Sequence, residues 1–394
     1  MVKATEKIKA TTTVAGVELV AGTIYSRGDS LTFAYDEAYV AHHKSYDLFP
    51  CLQRSSFAPF HFSGLGPFSD SAPDRWGRTL INRNLKRTKV SEIEYLLNVD
   101  DFARQGSLRF YINDEPQLSN SNIPLVIDLP NLLTIADDVV LRNNITDDNA
   151  LKLFYATGSL GGARPKACVM DGNVLYVAKF PKPTGDVWDV IGWEYVTMKL
   201  ARQFGIRVPG TRLISVSDSQ NRNRNVMLSE RFDRDDVGNR RHYMSAMTAL
   251  EMSDGEGADW LDLAELTREL GGDVHELWLR AIFGTAIGNL DNHLRNHAFL
   301  MSDCGWELSP AFDMNPEPLG KAPDVFQLSL FGENELNLQA FKTKRALELF
   351  GITQNACNDA CQLLASVLKN AVKEARKVKL GAKSIEAIAS RFEF

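Results

Sequence analysis

Cysteine is scarce and follows no pattern. The five residues, Cys51, Cys168, Cys304, Cys357 and Cys361, are scattered through 394 positions. An odd, dispersed set excludes a disulfide framework and gives no zinc-ligand spacing. Cys357 and Cys361 stand one helical turn apart and read as helix thiols packed in a core, not as ligands. Long apolar runs are also missing. No stretch approaches the roughly 20 apolar residues that span a bilayer, and Met1-Val2-Lys3-Ala4-Thr5-Glu6-Lys7 lacks the apolar core of a secretory signal. A cytoplasmic protein with no membrane attachment is expected. Net charge is small: 44 Lys and Arg against 50 Asp and Glu give −6. That excludes a global field for nucleic acid and leaves only local basic patches. The remainder, 44% hydrophobic and 24% charged, is ordinary for a soluble globular chain with room for two or three domains.

In chain order, Val17 to Tyr25, a turn at Ser26-Arg27-Gly28-Asp29 and Leu31 to Tyr35 read as a hairpin opening a β-rich segment. Phe57 to Pro73 is loop-rich, a helix follows from Pro73-Asp74 to about Lys86, and Ser91 with Glu94 forms a capping box. The cluster Arg83, Lys86, Arg87 and Lys89 reads as a solvated helix face, with an acidic partner or nucleic acid as the second reading. A polar, punctuated stretch (Ser119 to Asn122, Asp147 to Asn149) puts a boundary near residue 112.

A helical run, Ala150 to Thr157, then opens GSLGGARPK at Gly158 to Lys166. Its glycines let backbone N–H groups approach a polyanion, and Asp171-Gly172 turns the following hairpin. Lys179, on the second strand, is a lone lysine in an apolar run: either a phosphate-binding lysine or an edge lysine pointing to water. Glu194, in a helix spanning Val187 to Phe204, could orient it or simply face solvent. Strands at Arg212 to Val216 and Asn225 to Glu230 precede Glu230-Arg231-Phe232-Asp233-Arg234, a connection where adenine could bond the backbone and stack on an apolar side chain. From Tyr243 the chain reads as mainly helical, with Gln354 to Lys377 as one helix and Ser384 to Phe392 as another. A basic stripe, Lys369, Lys373, Arg376, Lys377 and Lys379, reads as surface.

The densest chemistry lies in Gly288 to Asn315. An apolar helix stops at Gly288, and the loop after it puts Asp291 and Asn296 five positions apart. A hairpin turning at Ser302-Asp303-Cys304-Gly305 then brings Asp313 within reach of the same place. Asp–Asn–Asp in this order is the phosphotransferase arrangement: one carboxylate aimed at the attacking oxygen, and hard oxygen ligands for Mg²⁺. The bland alternative is that Asp and Asn merely cap helices and fill turns.

Taken together, GSLGGARPK, Val177-Ala178-Lys179, Glu194, ERFDR, GNLDNHLRN at Gly288 to Asn296 and Phe312-Asp313 resemble the HipA-like serine/threonine kinases, toxin halves of bacterial toxin–antitoxin pairs. SAPDRWGR (Ser71 to Arg78) and DFARQGSLRF (Asp101 to Phe110) extend the likeness over nearly the whole chain. The resemblance implies an α+β, kinase-like two-lobed fold. Its segments would be a small β-rich subdomain (1–112), a region with the glycine loop and ATP lysine (113–235), and a mainly helical lobe (236–394). By position it implies Asp291 as general base, Asn296 and Asp313 as Mg²⁺ ligands, and Lys179 on the ATP phosphates. Gly161, Gly162 and Ala163 would cradle the nucleotide, Glu230 and Phe232 would meet adenine, and Ser159 would be autophosphorylated, its phosphate repelling ATP and releasing the loop. Two departures stand out: Asn292 where the family loop often has arginine, and Pro165 after Arg164 in the glycine loop.

The resemblance further implies an ATP-dependent, growth-inhibiting protein kinase acting on a translation component such as an aminoacyl-tRNA synthetase. Its implied partner is a HipB-like helix-turn-helix antitoxin, through which alone it would meet DNA. The other readings are a partner-binding transcriptional co-repressor scaffold and a small-molecule kinase of the aminoglycoside or choline type.

Overall fold

Apolar side chains recur at every second position of the opening strands, and such a pattern buries one face of a sheet. The computed structural model describes residues 6–28, 30–56, 58–113, 115–116, 123–143, 153, 156–159, 162, 164–253 and 255–393. Two compact units emerge, one from Met1–Ala178, Arg231–Met252 and Leu300–Cys304, the other from Lys179–Glu230, Ser253–Phe299 and Gly305–Phe394. The fold is mixed α/β, with a β-rich N-terminal region and a mainly helical C-terminal part.

The first unit carries a six-stranded antiparallel sheet. Its strands are β1 (Glu6–Val14), β2 (Val17–Arg27), β3 (Ser30–Tyr35), β4 (Phe60–Ser63), β5 (Arg109–Ile112) and β6 (Glu115–Pro116), in the order β4-β3-β2-β1-β5-β6. The bulge between Ala10 and Thr11 shifts register opposite Gly22. Gly22 has no room for a side chain: a Cβ there would lie 2.3 Å from Ala34 O and 2.7 Å from the Phe33 ring. Phe33 packs on Phe68, ring centroids 5.3 Å apart, and Phe68 on Phe110 at 6.2 Å. Phe68 sits in a 3-10 turn, Gly66–Ser71. The stretch read as loop therefore supplies both a strand and a core aromatic, which its Gly and Pro content hid.

The helix Arg75–Leu85 begins where Asp74 accepts the Gly77 N–H at 3.0 Å, and the Ser91–Glu94 capping box forms as expected. The hairpin β7 (Lys166–Asp171) and β8 (Val174–Lys179) turns through Gly172 at φ +58. Cys168 and Leu175 bury against Ala103 and Ile123. Only Leu153 and Ala156–Thr157 of the expected helix before the glycine loop are described, and the polar stretches Ser119–Asn122 and Asp147–Asn149 lie outside the described residues.

In the second unit β9 (Thr211–Ser217) pairs antiparallel with β10 (Asn223–Glu230), and the rest is mainly helical. The helix Val190–Gln203 starts three residues later than the periodicity suggests, because the Asp189 carboxylate caps it by accepting the Gly192 N–H at 2.8 Å. Helices Trp260–Glu269 and Val274–Ile287 enclose an aromatic core that includes Trp260 and Phe341, 6.0 Å apart. The single helix expected over Gln354 to Lys377 is two, Gln354–Leu368 and Ala371–Lys377, broken at Lys369-Asn370. Cys357 is buried as expected and Cys361 half-buried. No helix among the described residues is long and apolar enough to cross a membrane.

Candidate active site

Lys179 ends β8 with its side chain 14% exposed, so its ammonium must find partners inside the protein. It finds two. Nζ lies 2.5 Å from Glu194 Oε1 and pairs directly with Asp313. Burial works against the ammonium, but the Asp313 and Glu194 carboxylates outweigh it and raise its pKa. Burial also pushes Glu194 up to about 7, with the Asp313 charge adding to it against the pull of Lys179. Lys179 thus shares its positive charge between two carboxylates, one of which, Glu194, burial keeps partly protonated near neutral pH.

Glu194 is fixed from behind because it rides on the capped helix Val190–Gln203. One turn further on, the Thr197 hydroxyl faces Met314 O, tying that helix to the residue after Asp313. Asp313 itself has φ +56, a left-handed conformation that costs a non-glycine residue roughly 1 kcal/mol or more and tends to occur where function holds it. The next N–H but one, that of Asn315, donates to Asn289 Oδ1 at 3.3 Å.

The helix Val274–Ile287 stops at Gly288, φ +64, and delivers the loop that follows. Asp291 is exposed at its tip. Asn296 closes the loop by donating from Nδ2 to Asp291 O at 3.2 Å, which leaves its Oδ1 as an oxygen ligand. Leu290 O accepts the Gln327 N–H at 3.1 Å. Asn292, the departure from the family loop, is buried, and its Oδ1 lies 3.0 Å from His297 Nε2. Burial, then the nearby Arg280 charge, push His297 down to about 3, so its imidazole is neutral and donates to that oxygen. An arginine has no acceptor for this bond. Asp313 and Asn296 each carry a side-chain oxygen of the kind that Mg²⁺ takes. Among the described residues no group of three or more His, Cys, Asp and Glu could hold a metal.

The other sequence candidates are placed as follows. Ser159 is 4% exposed, and its hydroxyl accepts the Gln105 N–H at 2.8 Å. Gly162 has φ +107, and a Cβ there would lie 2.6 Å from Lys166 Nζ. Lys166 in turn lies 3.4 Å from Asp74 of the SAPDRWGR segment, whose pKa burial raises in spite of that lysine. Gly161 and Ala163 lie outside the described residues. Glu230 is exposed at the end of β10, and Phe232 is half-buried.

Around Phe232 the ERFDR motif has a structural content that the sequence did not disclose. Arg231 grips Asp233 with 2.7 and 2.6 Å bonds and donates to Ala103 O and Arg104 O. Arg234 donates to Asp233, Phe102 O and Arg104 O, while Asp233 accepts the Gly106 N–H at 2.7 Å. Burial opposes the Asp233 charge, yet Arg231 and Arg234 hold its carboxyl well below the usual carboxylate range. ERFDR and DFARQG are therefore two halves of one buried ion network. Thr197 and Asn289 were missed as well. Asn289 had a signal in its place beside the Asp291 loop; Thr197, one polar residue in a helix, had none.

The family described as HipA-like C-terminal domain matches residues 158–377. A proposed kinase of Sinorhizobium fredii, Y4mE, is 25% identical over 325 residues, 73% of this chain and 72% of that protein. A proposed kinase of Haemophilus influenzae is 25% identical over 151 residues, 35% of this chain and 43%, less than half, of that protein's own length. The solved Shewanella oneidensis MR-1 toxin–antitoxin complex of HipA, HipB and operator DNA contains a chain of the same fold. Its TM-score is 0.68 at 16% identity, covering 98% of this chain and 95% of that one.

Proposed function

The chain belongs to the HipA-like C-terminal domain family, and from that premise we propose that it is an ATP-dependent serine/threonine protein kinase acting as the toxin of a toxin–antitoxin pair. The observation that carries this reading is Lys179 held between Glu194 and Asp313, in the unit that also carries the Asp291–Asn296 loop. In this reading Lys179, oriented by Glu194, binds the ATP phosphates, and Asp291 accepts the proton of the attacking hydroxyl. Asp313 and Asn296 would hold Mg²⁺, which when bound neutralises charge on the phosphates. Glu230, Phe232 and the glycine loop, with Gly161, Gly162 and Ala163, are assigned to the nucleotide. The three segments 1–112, 113–235 and 236–394 then carry the accessory subdomain, the nucleotide elements and the catalytic loop.

The exposure of Asp291 supports this role, because a base for a protein substrate has to be reachable. Ser159 is the proposed autophosphorylation site. Its buried, bonded hydroxyl requires that the loop first leave Gln105. A HipB-like antitoxin is the proposed partner, on the strength of the shared fold, with DNA reached through it, a translation component such as an aminoacyl-tRNA synthetase as substrate, and the cytoplasm as the site of action.

Asp291→Asn and Asp313→Asn should each lower phosphoryl transfer by at least about 10²-fold while the far-ultraviolet spectrum and melting temperature stay near wild type. Intact-mass spectrometry after incubation with ATP and Mg²⁺ reads this directly. Full phosphate gain in either variant would exclude the assignment, and transfer to an aminoglycoside or choline in place of protein would favour the small-molecule kinase.

A further inference from the structure

The cluster around Lys179 has support from far along the chain. We propose that Arg391 and Phe392, neighbours in the 3-10 turn Ser390–Phe392, form a clamp that positions Glu194 and Asp313 for phosphoryl transfer. The proposal rests on the kinase reading above for its catalytic consequence, and on geometry within the second unit for its existence.

Phe392 takes the helix side. Its ring stacks on Trp193 with centroids 5.6 Å apart and an interplanar angle of 18°. Trp193 is the residue before Glu194, is fully buried, and donates from Nε1 to Ser384 O at 3.0 Å. At the cap of the same helix, the Asp189 N–H donates to Ser384 Oγ at 2.9 Å. Gly192 is pressed so closely that a Cβ would lie 2.4 Å from Leu380 Cδ2. The helix that aims Glu194 at Lys179 is therefore seated on Leu380, Ser384 and Phe392.

Arg391 takes the other side. Its side chain is 5% exposed, and each of its three guanidinium nitrogens donates a hydrogen bond. Nε donates to Glu317 O at 2.9 Å, Nη2 donates to Pro318 O and to Asp324 Oδ1, each at 3.1 Å, and Nη1 donates to Asp324 Oδ2. Glu317 and Pro318 follow Asp313 by four and five residues, so the fork fixes the backbone that leaves the metal carboxylate. The same guanidinium lies against Gly288, where a Cβ would sit 2.6 Å from Arg391 Cζ; Gly288 opens the loop that carries Asp291. A rigid pair of adjacent residues thus sets the helix behind Glu194, the segment behind Asp313 and the start of the Asp291 loop. Small displacements of such elements can lower turnover by as much as about 10²-fold without touching the substrate.

The test uses the full chain carrying Arg391→Ala, Phe392→Ala and Phe392→Tyr. Phosphoryl transfer is measured across ATP concentrations with Mg²⁺, and amide hydrogen exchange is followed without nucleotide. The clamp predicts a roughly 10- to 100-fold fall in kcat for R391A and F392A, with KM for ATP changed far less. It predicts recovery in F392Y, and partial rescue of R391A by millimolar guanidinium but not by equal sodium chloride. It also predicts faster exchange at helix Val190–Gln203 in F392A and at the amides of Met314, Asn315 and Glu317 in R391A.

Wild-type kcat in both alanine variants overturns the clamp. If the wild type itself transfers no phosphate, the kinase reading fails, and the exchange data still decide the clamp: unchanged protection in both variants overturns it, and the local increases support it. Should R391A fail to fold, F392A against F392Y decides between clamp and bulk packing. Loss in F392A with recovery in F392Y supports positioning, and equal activity in both overturns it.

Discussion

A lysine between two carboxylates keeps its proton and gives up its freedom. Lys179 is the best example here: a strand position that could have pointed to water is turned inward because Glu194 and Asp313 meet it there. His242 shows the opposite outcome. It is buried among Tyr46 and Phe49 rings, and its Nε2 donates to Leu48 O at 2.7 Å. Burial outweighs the bond to Leu48 and lowers its pKa from the ordinary 6.5 to about 4. Above pH 6.5 the ring is neutral both folded and unfolded, so the contribution is fully present. As pH falls towards 4 the unfolded chain takes up a proton that the folded chain refuses, and stability should drop by up to about 3 kcal/mol. Urea unfolding of wild type and His242→Gln at pH 7, 5.5 and 4 tests this. The stability difference between them should shrink or reverse by that order as the pH falls, and a pH-independent difference would dismiss the mechanism.

Helix Val190–Gln203 is the element on which the site depends most. Its start is decided by Asp189, which accepts the Gly192 N–H and also holds Asn225 Nδ2. Asp189→Ala should cost about 1–2 kcal/mol, the upper part of the range for a lost cap because a second bond goes with it. Chemical denaturation measures the cost, and amide exchange at Gly192 should rise with it. An unaltered denaturation midpoint would mean that the seat on Ser384, not the cap, sets the start of this helix. The chain carried part of this information openly. Gly288 after an apolar run is a readable stop, whereas the periodicity starts the helix at Val187 and passes over the cap at Asp189. The break at Lys369-Asn370 was not readable, because helical periodicity continues through it.

Across the molecule, the most telling arrangement is the ion network of the first unit. It joins residues 101–109 to residues 231–240, segments more than 120 positions apart in the chain. Asp233 anchors it, gripped by Arg231 and Arg234 and accepting from Gly106. Removing one partner of a buried pair leaves uncompensated charge, so Asp233→Asn should lower stability by about 3–5 kcal/mol. Thermal unfolding should register this as a fall of several degrees or more. A variant that melts with the wild type would show that solvent, not Asp233, compensates the two arginines.

The sequence by itself determined the elements and the chemical inventory: the Asp291–Asn296 spacing, the late Asp313, the strand lysine, the glycine loop, and the family that these residues resemble. Such signals are local, written in periodicity, caps and spacing that short-range sterics and hydrogen bonding enforce. Only the tertiary structure decided which of the open alternatives held. It turned Lys179 and Glu194 towards each other, made ERFDR and DFARQG a single network, gave Asn292 its contact with His297, and set Arg391 and Phe392 behind the site. Those outcomes depend on where buried charges find partners once distant segments meet, and the energy of that pairing is absent from any window of the chain.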